Sequence, residues 1–171
     1  MSSDITRRGA LALGAGGAAM LAGCAQGKII QYSGPEVTRI VVQKSSRRMH
    51  LVHGNRALKS FDIQLGFQPE GHKRFYGDGR TPEGRYFIDR RNPNSEFFLS
   101  VGMNYPNARD RAFAASHGRS PGGDIFVHGW GRHPKARRGK DWTAGCIAVT
   151  DEEIRTVYAM VQNGVAIDIF A

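Results

Sequence analysis

Cysteine is scarce in this chain: only Cys24 and Cys146 occur among its 171 residues. A framework of several disulfides is therefore excluded, because two cysteines form at most one bridge. The apolar stretch near the N-terminus, residues 9–23, has fifteen residues, whereas a membrane-spanning helix needs about 20. Acidic residues are also fewer than basic ones: the sequence has 15 Asp and Glu and 24 Lys and Arg, which gives a formal charge of +9.

The N-terminal segment has the order of an export signal. Arg7 and Arg8 form a basic start, and the residues that follow are rich in Ala, Leu and Gly. The arginine pair resembles a twin-arginine signal, and residues 21–24 (LAGC) resemble a bacterial lipobox. We therefore expect residues 1–23 to be removed as a signal peptide and Cys24 to carry a lipid anchor. An ordinary cleaved signal that ends beside a cysteine is the alternative.

This interpretation places the protein in the cell envelope, facing the periplasm. Ala25 stands where an aspartate often marks inner-membrane retention, which slightly favours the outer membrane by resemblance to lipoprotein sorting signals. Residues 24–36 then form the lipidated N-terminus and linker, and residues 37–171 form one domain. Without residues 1–23, which carry two Arg and one Asp, the charge is +8, and a basic chain favours anionic partners. Peptidoglycan stem peptides fit this compartment better than nucleic acid, and no cofactor is predicted.

The pattern of apolar residues predicts a β-rich α+β domain. Strands are predicted at residues 39–43, 49–53, 59–65, 85–89, 97–103, 125–129, 146–149 and 165–169. A short helix is predicted near residues 108–116. One long C-terminal helix is predicted from residue 150, because its first turn is acidic and apolar side chains repeat at helical spacing from Ile154 to Val161.

Cys146 has the clearest chemical implication. If Cys24 carries a lipid, Cys146 has no partner in its own chain, and it is either a reactive thiol or a small buried hydrophobe. His128 ends a predicted strand 18 residues earlier, and a histidine within hydrogen-bond reach can deprotonate a thiol. Gly145 permits a tight turn in which the backbone N–H groups of Gly145 and Cys146 approach an oxyanion.

Two motifs around these residues resemble the bacterial L,D-transpeptidase catalytic domain. Residues 125–129 (IFVHG) and residues 143–146 (TAGC), with fourteen residues between His128 and the second group, are similar to the family's strand-end His followed by Ser/Thr-His-Gly-Cys. Residues 77–86 (GDGRTPEGRY) are similar to the family's GD-x-x-TP-x-G-x-Y. The resemblance covers about residues 37–171 and implies a β-sandwich or half-open barrel with one long C-terminal helix.

One residue departs from the family pattern. Ala144 stands where the family usually has a histidine. The family's general base is the upstream histidine, which maps onto His128, so the nucleophile and base are kept while the oxyanion region is expected to differ. Residues 141–149 (DWTAGCIAV) are similar to a divergent branch whose members include enzymes that cleave links between peptidoglycan and a lipoprotein. The direction of the reaction therefore stays open.

The resemblance implies ping-pong acyl transfer. Cys146 attacks the carbonyl of a stem-peptide diaminopimelate, an amine leaves, and a second amine (transpeptidation) or water (hydrolysis) resolves the thioester. His128 is the general acid and base, and the carbonyl of Gly129 orients it. Substrate contacts are expected from Trp130, Arg132, Arg137, Arg138, Lys140, Trp142 and Thr143. A solvated basic loop and packing of the two tryptophans are the alternatives.

Two further interpretations are weaker. His133 could join His128 and Cys146 in a zinc site, but the sequence offers no fourth ligand, and no metal is predicted. A non-catalytic wall-binding lipoprotein would have no chemical need for both a thiol and a histidine. An enzyme is therefore preferred.

Overall fold

The computed structural model describes residues 27–133 and 140–171, and these residues form eight strands and two helices. The strands are β1 (Arg39–Gln43), β2 (Arg48–His53), β3 (Arg56–Asp62), β4 (Gly84–Asn92), β5 (Ser100–Met103), β6 (Phe126–His128), β7 (Ile147–Ala148) and β8 (Ala166–Phe170). The helices are α1 (Ala108–Ser116) and α2 (Asp151–Met160).

All eight strands of the described residues join one sheet in the order β3-β2-β1-β8-β4-β5-β6-β7. β4 connects its two halves: residues 84–87 pair with β8, and residues 88–92 pair with β5 with a register shift between Ile88 and Arg90. Such irregularities increase strand bending and twist. The sheet curls into a half-barrel around a core that includes Ile40, Leu51 and Val127, each of which is fully buried.

Both helices begin with capping boxes. The Asn107 side chain accepts hydrogen bonds from the backbone of α1, and the Thr150 hydroxyl accepts one from Glu153 N at the start of α2. α2 buries Ile154 and Val157 against the sheet. The Thr150–Glu153 capping box fixes the start of α2. Its N-cap residue Thr150 lies two residues after Ala148, the residue that pairs with His128.

The predicted β-rich α+β class is confirmed, with differences at several element ends. The predicted strand at residues 97–103 begins only at Ser100, because Phe98 has a positive φ of 75°. The predicted strand at residues 59–65 is shifted, since β3 ends at Asp62 and the following residues turn toward the Cys146 region. The C-terminal helix has ten residues, only one more than α1, because the backbone becomes extended at Val161.

The predicted signal peptide (residues 1–23) and the lipidation site Cys24 lie outside the described residues. Within the part of the chain that the structure describes, no helix combines the length and apolar character needed to cross a membrane.

Candidate active site

The sheet register brings the segments that carry His128 and Cys146 next to each other. β6 and β7 run parallel, with Val127 opposite Ile147 and His128 opposite Ala148. Cys146 immediately precedes β7, so it falls two residues before Ala148. Cys146 itself lies outside the strand, and its sulfur is 3.5 Å from the carbonyl oxygen of Asp124. Its proximity to His128 is shown by the cavities that both residues line.

The imidazole of His128 is fixed by its neighbouring carbonyl. Its Nδ1 lies 2.6 Å from the carbonyl oxygen of Gly129. A carbonyl only accepts, so Nδ1 carries the proton and donates it, and Nε2 is the acceptor nitrogen. The backbone around the ring is also anchored, since Val149 N donates to His128 O and Gly129 N donates to Leu99 O.

Thr143 organises the turn that presents Cys146. Its buried hydroxyl donates to the carbonyl of Cys146 at 2.8 Å and accepts from the backbone N–H of Gly145 at 3.1 Å. The sequence predicted Thr143 as a substrate contact and Gly145 N–H as an oxyanion donor. In the structure both groups are engaged within the turn. The backbone N–H of Cys146 is then the candidate oxyanion donor.

Residues 64–67 hold this turn from outside the sheet. Gln64 and Ala148 exchange two backbone hydrogen bonds of 2.8 Å, and Thr143 bonds to the carbonyl of Leu65. Asp141, at the start of the turn, accepts two charge-assisted bonds from Arg47 and one from Leu65 N. Arg–carboxylate pairs of this kind are geometrically specific, so the turn is positioned by a network rather than by one contact.

Gly145 is required by the geometry of the turn. Its φ is +135°, and a Cβ placed there would lie 2.6 Å from the carbonyl oxygen of Arg80. The segment that contains Arg80 belongs to the GDGRTPEGRY motif, so the two sequence motifs meet at this position. A side chain at residue 145 would separate them.

Three cavities meet at Cys146. One of about 280 Å³ also contains His128, Ser100 and Phe97. A second of about 370 Å³ contains His128, Phe97 and Trp142, and a third of about 200 Å³ contains Lys73 and Tyr76. Cys146 is half-buried. The thiol and the imidazole therefore share two cavities.

Burial keeps both groups neutral. Burial raises the pKa of the Cys146 thiol to about 11, although a hydrogen bond from the Phe126 backbone opposes the increase. Burial lowers the pKa of His128 to about 4, and the hydrogen bond to Gly129 opposes that decrease. At neutral pH the resting pair is thus a thiol and a neutral imidazole, with Nε2 available to take a proton.

The predicted substrate contacts differ in their placement. Trp142 lines the 370 Å³ cavity and stacks on His133 with the ring centroids 4.7 Å apart. Trp130 is half-buried and is absent from the described lining of the three Cys146 cavities. Arg132 and Lys140 are exposed and do not line those cavities among the described residues. Arg137 and Arg138 lie outside the described residues.

Three residues at the site were missed by the sequence analysis. Phe97 packs on the His128 ring with a centroid separation of 4.4 Å. Asp151 accepts hydrogen bonds of 2.8 Å from the backbone N–H groups of Trp130 and Gly131, which fixes the chain just after His128. Ser100 lies opposite His128 in β5. Asp151 was noted only for its place in the acidic first turn of a helix, and the other two only as parts of a strand.

No cluster of three or more His, Cys, Asp or Glu side chains suited to a metal ion occurs in residues 27–133 and 140–171. The cavities at Cys146 bring a thiol together with an imidazole whose Nε2 has no partner among the described residues. Such a pair is suited to attack on a carbonyl.

Comparisons with known proteins identify the family of the chain. Residues 37–169 match the family model described as YkuD, the L,D-transpeptidase catalytic domain. The chain is 30% identical over 93 residues to "Putative L,D-transpeptidase YafK" of Escherichia coli K12, a match that covers 53% of this chain and 32% of that protein.

Solved structures share the fold. The helical cell shape determining protein Pgp2 of Campylobacter jejuni (K307A mutant) superposes with a TM-score of 0.62 at 24% identity, covering 81% of this chain and 48% of that one. Bd1075 of Bdellovibrio bacteriovorus gives a TM-score of 0.55 at 23% identity, covering 79% and 48%.

The chain spans about a third of the length of the curated relative and about half of these two structures. The family match itself extends over most of the sequence and includes both motifs, the Cys146 turn and the His128 strand. On this ground, the chain belongs to the YkuD family of L,D-transpeptidase catalytic domains.

Proposed function

We propose that the protein is a cysteine acyltransferase that acts on peptidoglycan stem peptides. The observation that carries the proposal is that Cys146 and His128 line the same two cavities, with Nδ1 of the imidazole bound to Gly129 O. Membership of the L,D-transpeptidase family supports the substrate class. Pgp2 is a cell-shape determinant, and we propose that this chain likewise remodels the cell wall.

The proposed mechanism starts from the neutral pair. The Cys146 sulfur attacks the carbonyl carbon of diaminopimelate while Nε2 of His128 removes the thiol proton, because the free thiolate is disfavoured by burial. The backbone N–H of Cys146 donates to the oxyanion. His128 then protonates the departing amine, and the acyl group remains on sulfur as a thioester. A second, neutral amine attacks this thioester, the C–S bond breaks, and the proton lost by the amine returns through His128 to the Cys146 sulfur as the new amide forms.

Hydrolysis of cross-links or of peptidoglycan–lipoprotein links is the second candidate. Ala144 is exposed and lines two of the three cavities at Cys146. Its small side chain leaves the approach to the sulfur open to water, which would resolve the same thioester without an acceptor amine.

Digestion of isolated sacculi tests both candidates. Purified protein is incubated with sacculi, which are then solubilised with a muramidase and analysed by chromatography and mass spectrometry. New cross-linked stem peptides indicate transpeptidation, and shortened or released peptides indicate hydrolysis. The matched control is Cys146→Ala, which should leave the sacculi unchanged. Identical products from this variant would refute the proposed function.

We also propose that the protein is a lipoprotein of the cell envelope, anchored through Cys24 with the outer membrane favoured. The supporting observation is the order of residues 7–24, with an arginine pair, an apolar stretch and LAGC. Membrane fractions from cells that produce the full chain should contain a form that starts at an acylated Cys24. Cys24→Ala should move the protein to the soluble fraction or leave it unprocessed. An unchanged membrane-bound form would contradict the anchor.

A further inference from the structure

The 280 Å³ cavity at Cys146 differs in charge from its neighbours. Its described lining includes the carboxylates of Glu96 and Asp124 and the hydroxyl of Ser100, and it includes no lysine or arginine. The 200 Å³ cavity on the other side of the sulfur contains Lys73, and the 370 Å³ cavity is mainly aromatic. The chain as a whole carries a formal charge of +9, so an acidic cavity beside the nucleophile favours cationic ligands at this one place.

Ser100 gives this cavity an unused polar group. It lies directly opposite His128 in the antiparallel pairing of β5 and β6, so the two side chains occupy the same face. Ser100 is only 3% exposed, and its hydroxyl forms no hydrogen bond to another of the described residues. Buried polar groups are ordinarily hydrogen-bonded. A hydroxyl left open toward a cavity is therefore available to a ligand.

Glu96 gives the cavity a carboxylate that has no cationic partner among the described residues. Asp124 lies 3.4 Å from Arg90, which partly neutralises it. Glu96, in contrast, forms no salt bridge within the part of the chain that the structure describes. A carboxylate without a cation at the edge of a cavity attracts a cationic group of the ligand.

The Glu96 carboxylate and the Ser100 hydroxyl both suit the acyl-transfer step. An acceptor amine arrives as an ammonium ion and releases one proton to solvent, and the neutral nitrogen then attacks the thioester carbonyl. As the C–N bond forms, the C–S bond breaks, and the proton lost by nitrogen passes through His128 to the Cys146 sulfur. A carboxylate that attracts the ammonium and a hydroxyl that accepts an N–H bond beside His128 would hold the amine for this step.

We infer that the cavity lined by Ser100, Glu96 and His128 is the amine subsite, and that it selects acceptors that carry an ammonium group. This inference rests on the proposed acyl transfer. The departing amine leaves from the same side of the carbonyl carbon, because His128 serves both transfers.

A competition between two nucleophiles tests the subsite. The full-length protein is given a diaminopimelate-containing tetrapeptide, which is both acyl donor and cationic acceptor, together with methoxyamine, which is neutral at pH 7. The ratio of cross-linked dimer to methoxyamide is measured by mass spectrometry. Glu96→Gln should lower this ratio about twofold to fivefold, as expected for an exposed charge interaction, and the effect should shrink at high salt.

Glu70→Gln is the matched control, because Glu70 is also exposed but lies at a cavity that does not contain Cys146. It should leave the ratio unchanged. Ser100→Ala should lower formation of both amide products about twofold to tenfold, relative to carbapenem acylation of Cys146 measured on the same preparation.

Equal product ratios in Glu96→Gln and Glu70→Gln would overturn the inference, and so would a wild type that releases tripeptide without any amide product. Both results leave the cysteine chemistry intact. Failure of the wild type to form a carbapenem adduct would instead contradict the proposed function itself.

Discussion

His128 is buried and His72 is half-buried in this fold, and the two show what separates a candidate base from a structural histidine. Burial lowers the pKa of each ring. In His72, Nδ1 accepts from Glu83 N at 2.9 Å and Nε2 donates to Asp110 at 3.2 Å, so both nitrogens are occupied. In His128, Nδ1 is engaged by the Gly129 carbonyl, and Nε2 forms no hydrogen bond to any residue that the structure describes.

A choice of site by cavity size alone would point to His72 instead of His128. His72 lines a cavity of about 710 Å³, larger than any of the three at Cys146, but the described lining of that cavity contains no thiol. The smaller cavities combine a free acceptor nitrogen with a sulfur. A histidine nitrogen without a partner, in a cavity that also contains a nucleophile, is therefore a better criterion for a reactive site than cavity volume.

Removal of the sulfur should produce the largest effect. Cys146→Ala should abolish covalent labelling by a carbapenem and by iodoacetamide, because Cys146 is the one cysteine in the described residues. Intact-mass analysis measures the adduct, and peptide mapping locates it. An adduct that persists in Cys146→Ala would show that another group is the nucleophile.

Exchange of each histidine for glutamine should affect the acylation rate in one case and the stability of the fold in the other. His128→Gln should slow acylation of Cys146 by about 10²–10⁴-fold, the usual contribution of a general base. His72→Gln should leave the acylation rate near the wild-type value and lower the free energy of unfolding by about 1–3 kcal/mol, through lost hydrogen bonds. Stopped-flow or mass-spectrometric rates and denaturant unfolding measure the two effects. Similar loss of rate in both variants would break the comparison.

The low pKa of His128 should also appear in stability. Between pH 6.5 and about 4, an unfolded histidine binds a proton that the folded protein excludes, so the free energy of unfolding falls as the pH falls. The full contribution of His128 is about 3 kcal/mol, which is present above pH 6.5 and lost as the pH approaches 4. Urea unfolding should show a shallower pH dependence in His128→Gln. Equal slopes in the two proteins would contradict the buried neutral imidazole.

The smallest of these effects concerns the turn. Gly145→Ala places a Cβ 2.6 Å from Arg80 O at a positive φ, which should destabilise the fold by about 1–3 kcal/mol and reduce acylation. Gly164→Ala is the matched control, since Gly164 also has a positive φ but nothing lies within 4 Å of its Cβ position. Thermal unfolding and carbapenem acylation measure both variants. An acylation rate in Gly145→Ala as high as in Gly164→Ala would contradict the role of the turn.

Local patterns were sufficient to predict the strands and the two helices, because apolar periodicity and capping residues act over short distances in the chain. The motifs also predicted which thiol and which histidine to compare. The use of the Thr143 hydroxyl and the Gly145 N–H inside the turn could not be predicted, because it depends on the turn conformation. The contacts of Phe97, Ser100 and Asp151 depend on strand pairing and on the packing of α2, which join residues far apart in sequence.

The pH profile of carbapenem acylation tests the central claim most directly. The second-order rate constant for Cys146 is measured from pH 5 to 10 in wild type and in His128→Gln. With His128 neutral above a pKa of about 4 and the thiol protonated below about 11, the wild-type rate should stay nearly flat between pH 5 and 8. The variant should react slowly and gain about tenfold per pH unit as thiolate forms. Parallel profiles in the two proteins would contradict His128 as the base for Cys146.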